Sequence, residues 1–280
     1  MMRIDLHTHS SVSDGTDPPG ELVAKAAAAG LDVVALTDHD TAAGWAQAAA
    51  VAEREGVELV RGMEISTTHE HRSVHLLAYF LDPAHPVLDA ELDRILRGRD
   101  SRVPGICERL VAAGIEIDEA DVRRAAGDAV AAGRPHVADA LVAKGVVADR
   151  TEAFERFLKP GRPGYVHRYA SPLVDMVGVV RAAGGVSVVA HPWGRGSRRA
   201  LDVETLGMLR DLGLDGLEVD HEDHDAAERA ELRAIAHGLD LVVTGSSDHH
   251  GLGKVGHHLG VNTTAPEEYE RLLARRPPAT

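Results

Sequence analysis

The sequence predicts an α/β fold, a barrel of alternating strands and helices carrying a small all-helical insert. Short apolar, strand-like runs alternate with helical patterns along most of the 280 residues, which calls for a mostly parallel sheet. The strand–helix units are numerous enough to favour a closed barrel over an open sheet. Between about Arg97 and Tyr165 the rhythm fails, and helical periodicity continues without a convincing strand.

Arg3–Leu6 is the first strand-like run. Pro18 and Pro19 then lead into an Ala-rich helix over Glu21–Ala29 that Gly30 stops, since proline suits a helix start and glycine its end. Asp32–Leu36 is the second run, followed by a helix over Thr41–Glu55 that ends at Gly56. Glu58–Val60 and Val74–Phe80 are the third and fourth. The insert reads as helices over Ser101–Ala113, Asp118–Ala126, Pro135–Ala143 and Thr151–Leu158. A DNA-binding helix-turn-helix is disfavoured there, because basic residues are not gathered on one helix. The barrel resumes with Ser171 as N-cap and Pro172 in the first turn of a helix running to Ala183, before Gly184 and Gly185. Strand-like runs at Gly185–Ala190, Gly216–Val219, Leu239–Thr244 and Leu259–Val261 alternate with helices over Asp202–Leu212, Asp223–Gly238 and Pro266–Arg275. The barrel is therefore assigned to residues 1–97 and 166–280 and the insert to 98–165, with Arg275–Thr280 a frayed tail.

Composition narrows the function. A net charge of −14 argues against general nucleic-acid binding, duplex included, which needs a basic surface. An anionic substrate must be attracted locally, by metals or a few arginines. No apolar run approaches the roughly 18 residues that span a membrane, and Met-Met-Arg passes straight into Ile4 without a signal peptide. The single cysteine, Cys107, excludes a disulfide framework and suits a reducing, cytoplasmic compartment. With Ile106, Leu110 and Val111 around it, Cys107 is expected in the core. The sequence does not fix an oligomeric state.

The chemistry lies where apolar runs end. In Asp5-Leu6-His7-Thr8-His9, two histidines at i and i+2 of an extended segment point to one side, and imidazole is the commonest metal ligand. Thr37-Asp38-His39-Asp40 follows the second run and Gly62-Met63-Glu64 the third; His75 lies in the fourth. Ala190-His191-Pro192, Glu218 and Ser246-Ser247-Asp248-His249-His250 close the later ones. In a barrel such positions gather at the carboxyl ends of the strands. Strand alternation turns His249 away from its neighbours. Of the 17 histidines, His69, His71, His85, His167, His224, His237, His257 and His258 are expected at the surface or in packing. Trp45 is open, and Trp193 either stacks on a base or packs.

Asp5–His9, Thr37–Asp40, His191-Pro192 and Asp248–His250 together resemble the motifs of the PHP (polymerase and histidinol phosphatase) superfamily of metal-dependent phosphoesterases, over nearly the whole chain. The resemblance implies a distorted seven-stranded relative of the TIM barrel, a (β/α)7 barrel. His-Thr-His-Ser, Ser13-Asp14-Gly15-Thr16 and Gly133-Arg134-Pro135-His136 are similar to one subgroup. Its members act on nucleotides phosphorylated at 3′ and 5′ or trim short oligoribonucleotides. Carried over by motif, the ligands would hold three divalent ions: His7, His9, Glu64 and Asp248 the first, Glu64, His75 and His191 the second, Asp14, His39 and His250 the third. Nitrogen and oxygen donors without thiolate suit manganese, iron or zinc. Three such ions against three carboxylates leave about three positive charges to draw a phosphate. Asp5 and Asp38 are expected to orient ligating histidines, and Glu218 either orients one or is structural.

The resemblance also implies a water between the first two ions, its pKa lowered toward ~7, attacking phosphorus directly. His191, Asp248 and His221 are open candidates for protonating the leaving group. Arg134 and His136 are expected to clamp a second phosphate from the insert, or else to form the N-cap region of the Pro135–Ala143 helix. Lys159, Arg162 and Tyr165, and Arg195, Arg198 and Arg199, are further candidates. The favoured activity is removal of the 3′-phosphate from nucleoside 3′,5′-bisphosphates. Alternatives are a 5′-3′ exoribonuclease on short oligonucleotides and a histidinol-phosphate phosphatase. A non-catalytic metal-binding module is disfavoured by the complete ligand set, and amide hydrolysis by the lack of a recognisable ligating lysine.

Overall fold

The structure, a computed structural model, describes residues 2–277 apart from the side chain of Arg195. The first half-barrel is β1 (Ile4–Asp5), α1 (Pro19–Ala28), β2 (Val33–Leu36), α2 (Trp45–Glu55), β3 (Glu58–His69) and β4 (Arg72–Tyr79). Then come α3 (Pro86–Ser101), α4 (Val103–Ala112), α5 (Glu119–Ala126), α6 (Arg134–Ala143) and α7 (Arg150–Ala153), the last running into a π-turn over Phe154–Leu158. The second half is β5 (Ser171–Pro172), α8 (Leu173–Ala182), β6 (Val186–Ala190), α9 (Val203–Asp211), β7 (Gly216–Asp220), α10 (Ala226–Gly238), β8 (Val242–Gly245) and α11 (Pro266–Ala274).

The sheet runs β1-β2-β3-β4-β6-β7-β8, with β5 paired to β3. His9 N donates to His249 O at 2.8 Å across the seam, so the seven strands form a nearly closed barrel. Alternation along β2 shows the two layers. Val33 and Ala35 join the inner cluster with Ile4, Leu77 and Val188, while Val34 and Leu36 pack outward against the helices. Among the described residues no helix is long and apolar enough to cross a membrane.

Several sequence expectations are corrected. The third strand is not Glu58–Val60 but extends to His69 and returns as β4, antiparallel to both β3 and β6. The hairpin turn is Glu70-His71, at φ +46° and +62°, a type I′ shape that ordinarily takes Asn-Gly. Leu259–Val261 is a turn, not a strand: Gly260, at φ +72°, donates its N–H to Asp5 Oδ2 at 2.9 Å. Ser171 and Pro172 pair with β3 before the helix begins at Leu173, and α2 begins at Trp45, not Thr41. The helix α3 was not expected; it buries Leu88, Leu92, Ile95 and Arg99 on one stripe. The expected Thr151–Leu158 helix is present, but its second half, Phe154–Leu158, is wound as a π-helix.

The helical segment has a core of its own, including Ile106, Leu110, Val137, Leu141 and Leu158. Cys107 belongs to it, and burial pushes its thiol up to about 11, which makes it inert. The segment meets the barrel where Val130 N donates to Val12 O at 2.9 Å and Arg150 Nη1 to Asp14 O at 2.8 Å.

Candidate metal centre

His7 and His9 follow β1 and enter the barrel mouth from one side, bringing their Nε2 atoms to 3.0 Å. Glu64 on β3 places Oε2 3.4 Å from His7 Nε2 and 3.2 Å from His9 Nε2. Asp248, after β8, brings Oδ1 to 3.5 Å from both. Glu64 Oε1 faces elsewhere, 2.6 Å from His75 Nδ1 and 3.3 Å from His191 Nε2. His75 lies near the start of β4, not at a strand's carboxyl end. Because β4 is antiparallel, it pairs there with Ala190 at the end of β6. A third group centres on Asp14: Oδ1 is 3.3 Å from His250 Nε2 and 3.6 Å from His9 Nδ1, and Oδ2 is 3.6 Å from His39 Nε2. His39 also reaches Glu64 Oε2 at 3.1 Å through Nδ1, so it stands between two groups.

Buried carboxylates need compensating charge, and Asp14, Glu64 and Asp248 are all buried. Against burial, His75, His39 and His7 hold Glu64 well below the usual carboxylate range, and His39 and His250 do the same for Asp14. Lys254, which no motif marks in the sequence, contacts Asp248 Oδ2 and with His7 lowers that carboxyl against burial. His7 is raised well above its ordinary value; burial opposes this, but Glu218, Asp248 and Glu64 outweigh it. Converging imidazole nitrogens and carboxylate oxygens without thiolate fit divalent cations, and several such groups lie together here.

The supports differ in part from expectation. Glu218 Oε1 lies 3.0 Å from His7 Nδ1, and Oε2 accepts the His191 backbone N–H at 2.8 Å. A proton on His7 Nδ1 leaves the Nε2 lone pair facing the centre, so Glu218 orients this ring. Among the described residues neither Asp5 nor Asp38 hydrogen-bonds to an imidazole ring. Asp5 accepts backbone N–H groups of Ser247 and Gly260 at 3.0 and 2.9 Å. Asp38 accepts from Ser10 N at 2.8 Å and Ser13 Oγ at 2.6 Å. Both therefore fix the loops that carry ligands. His221 Nδ1 accepts from Asp223 N at 3.0 Å, which leaves its Nε2 proton directed to Asp248 Oδ2 at 3.1 Å. His249 points away as expected, its Nδ1 donating to His257 O at 2.8 Å. His191 and Asp248 take φ of +29° and +52°, a conformation that clusters at functional sites.

The PHP domain family matches residues 5–101. A 3′,5′-nucleoside bisphosphate phosphatase of Chromobacterium violaceum is 38% identical over 269 residues, 95% of this chain and 93% of that protein. The chain belongs to the PHP family. A 5′-3′ exoribonuclease of Haemophilus influenzae is 34% identical, with 89% of this chain and 90% of that protein covered. The crystal structure of a Bifidobacterium adolescentis protein described as a metal-dependent phosphoesterase superposes with a TM-score of 0.94 at 37% identity, covering 99% of this chain and 97% of that one. PHP membership makes the protein a metal-dependent phosphoesterase, as its motifs implied.

Beside this PHP centre lies a small, partly open pocket lined in part by Ser13, Asp14, His39, Arg99, Gly133 and His136. His136 is buried, and its Nδ1 accepts the Gly133 N–H at 3.0 Å, so it caps α6 as well as facing the cavity. Arg134 Nη1 donates to Leu158 O at 3.2 Å, between the rings of Phe154 and Tyr165. Other clamp candidates go elsewhere. Lys159 pairs with Glu155 on the surface, and Arg198 pairs with Glu231 and covers the Trp193 ring. Arg199 is exposed, as is Arg162, and the Arg195 side chain lies outside the described residues. Trp193 packs: it is buried, and its Nε1 donates to Leu201 O at 3.0 Å. Trp45 likewise donates to Gly62 O at 2.8 Å. His224 and His257 are packing residues, and His257 sits buried beside His221 and Asp248.

Proposed function

We propose that the protein removes the 3′-phosphate from nucleoside 3′,5′-bisphosphates at this centre. The observation that carries it is Glu64, one carboxylate shared between the His7, His9, Asp248 group and the His75, His191 group, beside a cavity that also contains Arg99 and His136. In this reading His7, His9, Glu64 and Asp248 hold one divalent ion. Glu64, His75 and His191 hold a second, and Asp14, His39 and His250 a third, with manganese, iron or zinc as the metals. Bound there, such ions supply an acidified water and neutralise charge on phosphate oxygens. Glu218 keeps the His7 ring turned inward. His221 holds a proton on Nε2 beside Asp248 and is the favoured donor to the leaving 3′-oxygen, with His191 and Asp248 the other candidates. Residues 98–165 act as a cap that brings Arg134 and His136 to the mouth, and the substrate is a small phosphorylated nucleotide or short oligonucleotide in the cytoplasm. The bisphosphatase relative is the more similar of the two nucleotide enzymes, so it leads.

The test is phosphate release from adenosine 3′,5′-bisphosphate with added manganese, run beside histidinol phosphate and a short 5′-phosphorylated RNA. The bisphosphate is expected to turn over fastest; faster turnover of either rival would overturn the assignment. With a chiral phosphate and labelled solvent, direct attack inverts phosphorus, and net retention excludes it.

A further inference from the structure

Lys254 brings an ammonium onto Asp248, a carboxylate that the ligand groups already claim. The two oxygens of Asp248 divide their partners. Oδ1 lies 3.5 Å from His7 Nε2 and from His9 Nε2. Oδ2 takes Lys254, together with His221 Nε2 at 3.1 Å. The Lys254 side chain is 24% exposed where that of Asp248 is 2%, so it stands between the buried carboxylate and solvent. Little else holds the segment that carries it. Gly251 and Gly256 take φ of +62° and +85°. Leu252 N donates to Thr16 Oγ1 at 2.8 Å and Gly253 N to His250 O at 3.1 Å, which fixes the first half. From Lys254 to Gly256 the backbone makes no hydrogen bond among the described residues. Leu252 and Val255, on either side, are 93% and 89% exposed. The chain is caught again at His257, whose Nδ1 donates to Ser247 O at 2.6 Å. Between those points the ammonium on Asp248 is the polar anchor.

Asp248 has no need of an ammonium if the centre holds its ions. Three divalent ions against Asp14, Glu64 and Asp248 leave about three positive charges, and Lys254 adds a further like charge that opposes cation binding. Its use lies with an anion. We propose that Lys254 grips the phosphate that is cleaved, moving from Asp248 Oδ2 to a phosphate oxygen. The proposal rests on the preceding reading for the ions and for the phosphate they meet. A flexible four-carbon stem on a segment with three glycines allows that move without disturbing a helix or strand. Lys254 forms no covalent bond and gives up no proton. It counters charge on the phosphoryl oxygens as the bond to the 3′-oxygen breaks. It shares Asp248 Oδ2 with His221, so charge and the favoured proton donor serve the same side of the phosphorus. Nothing in this contact reads a sugar or a base; its ligand class is a phosphate dianion.

The test compares manganese-loaded wild type, Lys254→Met and Lys254→Arg. Inorganic phosphate, titrated calorimetrically, probes the contact without turnover. Lys254→Met is expected to bind it roughly 10- to 100-fold more weakly, and Lys254→Arg to recover most of the loss. Manganese affinity, read by chelator competition, is expected to be equal or tighter in Lys254→Met, since a like charge has gone. The kcat/KM for adenosine 3′,5′-bisphosphate should fall in step with phosphate affinity. Wild-type phosphate affinity in Lys254→Met overturns the contact, as does a wild type that binds no phosphate. Manganese affinity that falls in Lys254→Met also overturns it, because Lys254 would then serve only to position Asp248. If phosphate affinity is lost as expected but the wild type releases no 3′-phosphate, the contact stands and the preceding reading falls.

Discussion

Glu218 touches two candidate ligands at once, the His7 ring and the His191 backbone. Replacing it by glutamine keeps the shape but offers His7 Nδ1 an amide, which no longer demands the proton there. Glu218→Gln is expected to weaken metal affinity by about 10- to 100-fold, read by chelator competition; unchanged affinity would make Glu218 a packing residue. His224 gives a pH prediction away from the ligands. Its Nδ1–H donates to Val219 O at 2.9 Å and its Nε2 accepts from Trp193 N at 3.3 Å, so the fold holds it neutral, and burial lowers its pKa. A lowered folded pKa means that the unfolded chain binds the proton first. The stabilisation is therefore present above an unfolded pKa of about 6.5 and is lost as pH falls through the folded value. Urea midpoints from pH 8 to 5 should fall more steeply for the wild type than for His224→Gln, and parallel curves would refute this.

At the scale of elements, the β3–β4 hairpin and the helical segment flank the site. The hairpin was illegible because its turn is Glu-His where Asn-Gly would have signalled it, and α3 because charged residues interrupt its apolar stripe. Once β3 continues past Val60, Glu64 and Ser66 fall on one face. That single fact sets Glu64 beside Arg99 and Arg168, which both donate to Ser66 Oγ, at 2.8 and 2.7 Å. The helical segment is tied to the centre by Arg150, which binds Asp139 through Nε and Nη2, both at 2.6 Å, and the Asp14 carbonyl through Nη1 at 2.8 Å. Arg150→Met is expected to cost about 1–3 kcal/mol in unfolding free energy and to lower the metal content at Asp14 before the other groups. Full metal content in that variant, measured by elemental analysis, would show that the tie does not position Asp14.

For the molecule as a whole, buried imidazoles and acids crowd one barrel rim, and cations bound there favour the folded state by mass action. At a metal concentration of 100 times Kd, each site should add about 2.7 kcal/mol. For a chain of 280 residues that raises the melting temperature by roughly 5 °C per site. Chelation should reverse the rise, and a melting temperature indifferent to manganese and to chelator would remove the metal centre. Most of the candidate ligands were legible along the chain because they close apolar runs whose strand direction local alternation dictates; Asp14, in a loop, and His75, near the start of β4, do not. The barrel, the helical segment and the acidic charge followed from the same periodicity and composition. Tertiary structure alone decided what those strings could not encode. β4 is antiparallel, Glu218 holds His7 while Asp5 and Asp38 hold loops, and arginines far apart in sequence share one serine. Local sequence sets which way a side chain leaves its own backbone, but only the packed fold sets which distant charge it meets.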